Sequence, residues 1–188
     1  MGRNMKMEDL DRTLIILKPH AVTRGLTGRI LARFEDMGLV ISQIKKFRES
    51  EAFWDGFYPS DDQWKTNVGT KTLDSCKELG IDVALELGTT EALKIGALVK
   101  SWLAEHMSSG PVVAAILEGN EAARKVRKVC GATLPQLASP GTIRFDFSCD
   151  SPALANKEKR PVYNLIHATD PDEAGALEKE LRYIFRQP

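Results

Sequence analysis

Cysteine is scarce in this chain, and what there is does not pair. Cys76, Cys130 and Cys149 make an odd number with no short paired spacing, which argues against a disulfide frame or a zinc site and for reduced thiols in the cytoplasm. No apolar run is long enough to span a bilayer, so no membrane partner is expected. Met1-Gly2-Arg3-Asn4-Met5-Lys6 lacks the apolar core of a secretory leader. An excess of charge of either sign is also missing: 26 Lys and Arg stand against 26 Asp and Glu. A protein that grips nucleic acid by its phosphates is usually basic, so dedicated nucleic-acid binding is not expected, although a local cluster can still hold a small anion. There is no Gly-x-x-x-x-Gly-Lys loop. That excludes a P-loop mechanism, and any nucleotide must be held by side chains on separate elements. Internal repeats and low-complexity tracts are absent too.

What is present suits one globular domain over residues 1–188, with 43% hydrophobic residues to build its core. Leu14 to Leu17 reads as a buried strand. Gly28 to Met37 places Ile30, Leu31, Phe34 and Met37 on one helical face, stopped by Gly38. A second strand is expected over Leu39 to Phe47, then a helix over Glu49 to Phe57. Val112 to Leu117 is a third strand, and Glu121 to Val129 a basic amphipathic helix ended by Gly131. Tyr163 to His167 is a fourth strand, leading into a last helix from Pro171 to Phe185. This β-α-β-α, β-α-β-α order permits a doubled βαβ-type α+β fold. Two segments exceed that core, at about 59–102 and 150–161. The first holds a turn at Pro59 to Asp62, a helix-like Thr72 to Leu79, and a helix from Glu91 to Met107 capped by Thr90. The second is polar and bracketed by Pro152 and Pro161.

The most informative stretch is Asn164-Leu165-Ile166-His167-Ala168-Thr169-Asp170. A short apolar strand delivers one histidine to its end, and Asp170-Pro171-Asp172-Glu173 offers an N-cap, a proline at the first helical position and an acidic first turn. Neutral imidazole is a good nucleophile near pH 7. With the preceding Pro140-Gly141-Thr142-Ile143-Arg144-Phe145-Asp146-Phe147, this segment resembles the active-site half of nucleoside diphosphate kinases. Arg12-Thr13-Leu14-Ile15-Ile16-Leu17-Lys18-Pro19, Arg24-Gly25-Leu26-Thr27-Gly28-Arg29-Ile30 and Ser109-Gly110-Pro111-Val112-Val113-Ala114 extend the resemblance over about residues 11–58 and 103–185. Several ordered motifs together are far more specific than any one alone.

The resemblance implies a ferredoxin-like α/β sandwich, a four-stranded antiparallel sheet with surrounding helices. It implies ping-pong transfer of the terminal phosphoryl of a nucleoside triphosphate to a nucleoside diphosphate through a phosphohistidine on His167. Glu180, on the inward face of the last helix beside Leu177, Leu181 and Ile184, is the expected orienter, since a carboxylate there needs a partner. By resemblance Arg127 and Arg144 hold the phosphates, with Thr133 adding a hydroxyl; arginine's planar fork suits phosphate oxygens. Lys18 and Asn164 match the residues that contact the sugar hydroxyls and phosphate. Tyr58 matches the tyrosine that closes over the nucleophile. Asp170 matches the aspartate near a magnesium ion held mostly by nucleotide phosphates and water. A homo-oligomer built from dimers is implied as well. The aromatic that faces the base falls in the first insertion, where Trp64, Val99 and Trp102 are all candidates.

The sequence departs from the family in places. His20 and Ala21 follow Lys18-Pro19 where aspartate and glycine are usual, and Ala168-Thr169 replace glycine and serine. Thr169 keeps the hydroxyl that can reach Glu180. The polar flanks of Thr133 are lost, and Phe145 replaces a glycine. Two other functions compete. An RNA-binding module would use Arg24 to Ile30 as a Gly-x-x-Gly loop and Arg144 to Phe147 as a strand of alternating aromatics. A non-catalytic family member would act as an interaction protein through the insertions.

Overall fold

The structure, a computed structural model, describes residues 11–186; Met1 to Lys6, where no leader is expected, lies outside them. Four strands form one antiparallel sheet: β1 (Asp11–Leu17), β2 (Val40–Phe47), β3 (Val112–Gly119) and β4 (Ile166–Ala168). Their order, β2-β3-β1-β4, is the ferredoxin-like arrangement expected from the resemblance. In the first half of the chain the helices are α1 (Pro19–Thr23), α2 (Thr27–Glu35), α3 (Glu51–Phe57), α4 (Asp62–Glu78), α5 (Val83–Leu87) and α6 (Ala92–Ser108). Then come α7 (Ala122–Cys130), α8 (Ile143–Phe147), α9 (Pro152–Lys157) and α10 (Ala176–Phe185).

The pleat of β1 sends Leu14 and Ile16 to one face and Ile15 and Leu17 to the other, and all four are fully buried. Antiparallel sheets commonly leave one face wet; here helices cover both. Ile30 and Phe34 of α2 and Val126 of α7 pack with Ile15 and Leu17. Trp54 and Phe57 of α3, Met107 of α6, and Leu181 and Ile184 of α10 pack with Leu14 and Ile16. Fully burying such a side chain stabilises by roughly 1.5–3 kcal/mol, and a strand covered on both faces reads as a continuous apolar run, as Leu14 to Leu17 does.

The segments 59–102 and 150–161 meet each other. α4 and α6 cross so closely that a Cβ on Gly69 would collide with the Ala92 carbonyl, and one on Gly96 with the Lys65 carbonyl. Asn156 of α9 donates its side-chain amide to Cys76 Sγ of α4 at 3.2 Å, joining the second segment to the first. The second is closed at its base by Arg160, which grips both oxygens of Asp150 at 2.6 and 3.0 Å.

Several sequence expectations are corrected. α10 begins at Ala176, not Pro171. Asp170 spends its side chain on the Asp172 N–H at 3.1 Å in a separate turn, and Gly175 (φ +75°) holds the left-handed junction before the helix. α2 ends at Glu35, so Met37 lies beyond it and is exposed. α4 starts ten residues before the expected Thr72, because Asp61 caps it by accepting the Trp64 N–H at 2.8 Å. Glu91, not Thr90, stands at the N-cap of α6, and Thr89 accepts its N–H. Arg144 to Phe147 form a helix, and Gly28 lies inside α2. The strand of alternating aromatics of an RNA-binding module is therefore not formed at Arg144 to Phe147, while Gly25 (φ +70°) lies in the turn between α1 and α2.

Candidate active site

β4 is only three residues long because Leu165 cannot continue it. Its φ is +72°, and Ile166 N donates back to the Asn164 carbonyl at 2.9 Å, closing a γ-turn. A buried leucine in that conformation costs of order 1–3 kcal/mol and persists only where its surroundings over-determine it. Here Lys18 N donates to the Leu165 carbonyl at 2.9 Å. Arg144 donates from Nε to the Asn164 carbonyl at 3.2 Å and from Nη2 to the Ile166 carbonyl at 2.8 Å.

Ile166 and Ala168 point into the core under α2 and α7, so the pleat turns His167 toward α3 and α10. There His167 Nε2 lies 2.8 Å from Glu180 Oε1, while the Thr169 hydroxyl donates to Glu180 Oε2. Burial works against the charge on Glu180. The imidazole and the two hydrogen bonds, from His167 and Thr169, outweigh it and hold the carboxyl below its usual range. A carboxylate only accepts, so Nε2 carries the hydrogen and Nδ1 keeps its lone pair. Phe57 meets the imidazole edge-on, with ring centroids 5.5 Å apart.

His167 and Glu180 open on a cavity of about 200 Å³ that Tyr58, Trp64 and Lys179 also line. Of the three aromatic or apolar candidates in the first added segment, Trp64 is the one on this wall; Val99 and Trp102 are not. The Tyr58 hydroxyl is shut off from solvent with no hydrogen-bond partner among the described residues. Burial first, and then the Glu180 carboxylate, push its phenol well up, so it stays protonated.

Lys18, Arg127 and Arg144 each contact the 164–170 segment. Lys18 is buried, and its Nζ donates to Asn164 Oδ1 at 2.7 Å. Burial, with the Arg144 charge as a second cause, lowers its pKa to about 7. Asn164 in turn donates to the Thr133 carbonyl at 3.1 Å, while Thr133 itself is exposed. Arg127 reaches the Ala168 carbonyl at 3.4 Å and Asp170 at 3.6 Å and stays 38% exposed along its side chain. Arg144 is 4% exposed and, with a third bond from Nη1 to the Gly131 carbonyl at 2.7 Å, gives three of an arginine's five N–H groups to backbone. The structure thus gathers Lys18, Thr133, Arg127, Arg144, Asn164 and Asp170 around the 164–170 segment, with Glu180 beside His167 and Tyr58 on the cavity wall.

Asp170 is the carboxylate the resemblance sets beside a metal. It is exposed and already meets Arg127 and the Asp172 N–H, and the described residues hold no cluster of three or more His, Cys, Asp or Glu suited to a metal ion. That donor set fits an ion carried by a ligand's phosphates and water, with Asp170 beside it.

Sequence reasoning missed a polar group behind the turn. His20 Nε2 lies 3.0 Å from the Leu165 N–H, and His20 Nδ1 lies 2.8 Å from His106 Nε2. Tyr163 stacks on His20 with centroids 4.6 Å apart. Burial pulls both imidazoles to about 3, helped for His20 by His106 and Lys18 and for His106 by Lys18 and Arg160. The one sequence signal was a titratable residue just after Lys18-Pro19.

A family model described as nucleoside diphosphate kinase matches residues 11–69 and 99–188, leaving 70–98 outside it. A nucleoside diphosphate kinase of Pyrobaculum aerophilum is 46% identical over 179 residues, 95% of this chain and 96% of the relative. One of Borreliella burgdorferi is 35% identical over 177 residues, 94% of this chain and 88% of that one. A crystal structure of an NDP kinase from Pyrobaculum aerophilum matches with a TM-score of 0.88 at 44% identity, over 95% of this chain and 97% of that one. A transition-state mimic of the Borrelia burgdorferi enzyme, with bound vanadate and ADP, matches with a TM-score of 0.71 at 32% identity, over 94% and 87%. The chain belongs to the nucleoside diphosphate kinase family.

Proposed function

We propose that the chain transfers the terminal phosphoryl of a nucleoside triphosphate to Nδ1 of His167, releases the diphosphate, and passes the phosphoryl to a second nucleoside diphosphate. The observation that carries this is the pairing of His167 Nε2 with Glu180, which leaves Nδ1 as a lone pair near the cavity. As the Nδ1–phosphorus bond forms, the bond to the bridging oxygen breaks and that oxygen leaves with the diphosphate. Positive charge builds on the ring, and the Glu180 carboxylate offsets it without taking the Nε2 proton. Lys18 and Arg127 act on the phosphate oxygens, with Asn164 and Thr133 as hydrogen-bonding partners. Arg144 contributes its charge and its two remaining N–H groups from behind the turn. Tyr58 offers its unpaired hydroxyl to the phosphoryl on His167, and Trp64 offers a face to the base.

Magnesium is the proposed metal, held by phosphates and water beside Asp170. It would spread the charge of the moving phosphoryl. The partners are nucleoside di- and triphosphates, and contacts concentrated on phosphate and sugar favour tolerance of different bases. The relative bound to ADP, and a Halobacterium salinarum nucleoside diphosphate kinase in complex with CDP, support nucleotides as ligands. We place the reaction in the cytoplasm on the strength of three free thiols; no helix among the described residues is long and apolar enough to cross a membrane. The unit is one domain with two insertions, and edge strand β2, with Val40 and Ile44 exposed, suits a homo-oligomer built from dimers.

The test is half-reaction labelling. Protein treated with γ-labelled ATP and stripped of nucleotide should carry an acid-labile, alkali-stable label that unlabelled GDP removes. A non-catalytic family member would take up no label.

A further inference from the structure

We propose that His20 is a positioning residue for the transfer through His167: its imidazole holds the strained γ-turn that carries Asn164 and presents the nucleophile. The Leu165 N–H can only donate, so His20 Nε2 is its acceptor at 3.0 Å. His20 Nδ1 therefore carries the ring hydrogen and donates it to His106 Nε2 at 2.8 Å. One tautomer satisfies both bonds, and both rings stay neutral at ordinary pH.

The backbone of the turn has few other supports. The Leu165 carbonyl is met by Lys18 N, the Ile166 carbonyl by Arg144, and the Asn164 carbonyl by Arg144 and Ile166 N. Leu165 N, on a fully buried residue, has the His20 ring. Without it a buried donor at a positive-φ position loses its partner, and the turn can relax toward ordinary strand. Relaxation would shift Asn164, which Lys18 holds at 2.7 Å, and His167 two residues on from Leu165.

The ring is itself clamped. Pro19 and His20 open α1, which fixes the backbone that carries it. Tyr163 stacks on His20 at 4.6 Å and lies 4.8 Å from His106. Arg160 then lies 4.0 Å from the Tyr163 ring centre and grips Asp150 through two bonds. The second added segment thereby fastens the stack that holds the catalytic turn.

Since the inference rests on transfer through His167, the test compares unmodified protein with His20→Leu and His20→Gln. Glutamine can place an acceptor near the former Nε2; leucine cannot. In single-turnover labelling from ATP, His20→Leu should form phosphohistidine about tenfold more slowly, with nucleotide KM within about threefold, because misplaced reacting groups cost rate more than binding. His20→Gln should recover most of the rate. Equal rates for His20→Leu and the unmodified protein, or no rescue by His20→Gln, would overturn the proposal. If His20→Leu does not fold, the unmodified protein decides: isotope-labelled spectra should show a coupling across the hydrogen bond from Leu165 N–H to an unprotonated His20 Nε2. Its absence would overturn the proposal equally. Unmodified protein that takes no label sinks the transfer itself, which is a different failure.

Discussion

Glu180 and Glu178 sit two residues apart on α10, yet their environments differ. Glu180 is half-buried against His167 and Thr169; Glu178 is exposed. Replacing Glu180 by glutamine keeps the volume and an acceptor but surrenders the charge that, on the proposed mechanism, steadies the imidazole. Turnover of Glu180→Gln should fall about tenfold to a hundredfold, ~1.4–2.7 kcal/mol of barrier, with nucleotide binding little changed. Glu178→Gln should turn over like the unmodified protein; the reverse pattern would make Glu178 the orienter. Lys18 gives a pH prediction. Its folded pKa of about 7 lies below the ordinary 10.5, so between those values the unfolded chain binds more protons and stability rises with pH. A bound phosphate favours the charged amine and raises its pKa. Nucleotide binding at about pH 8 should therefore take up protons, and affinity should weaken as pH rises above about 7. Calorimetry in buffers of differing ionisation enthalpy measures the uptake, and none at pH 8 would contradict this account of Lys18.

The elements were legible where one local signal decided them. The apolar runs of β1 and β3 and the stripe of Ile30, Leu31 and Phe34 give their positions directly. β4 and α10 were not fully legible, because their limits depend on the φ of Leu165 and Gly175, which no hydrophobic pattern reports. The capping signal at Asp170 was real chemistry applied to a separate turn. For the candidate site, motifs pointed to His167, Glu180 and Lys18, but not to His20, whose contact is with a turn 145 residues away. The first added segment hid its logic in two glycines. Gly96→Ala would press a methyl into the Lys65 carbonyl, backbone that cannot rotate aside. It should cost ~1–3 kcal/mol of stability in a denaturant titration while still forming phosphohistidine. An unchanged midpoint would mean that α4 and α6 can separate freely.

At the scale of the whole molecule, the sheet holds the short candidate-site segment between two packed helical faces. The α2 and α7 face holds Ile166 and Ala168 rigidly, and the α3 and α10 face receives His167 with its carboxylate and its cavity. Segments 59–102 and 150–161 lie beside this frame, joined to each other through Cys76 and Asn156 and to the Leu165 turn through Arg160, Tyr163 and His20. On the proposed mechanism this geometry serves one reacting atom. The most direct measurement is the position of the phosphoryl group: protein labelled by ATP, digested under alkaline conditions, with the modified residue located by mass spectrometry and its nitrogen assigned by NMR. The account predicts a phosphoryl on Nδ1 of His167. A phosphoryl on Nε2 of that ring, or on His20, His106 or any other residue, would contradict it.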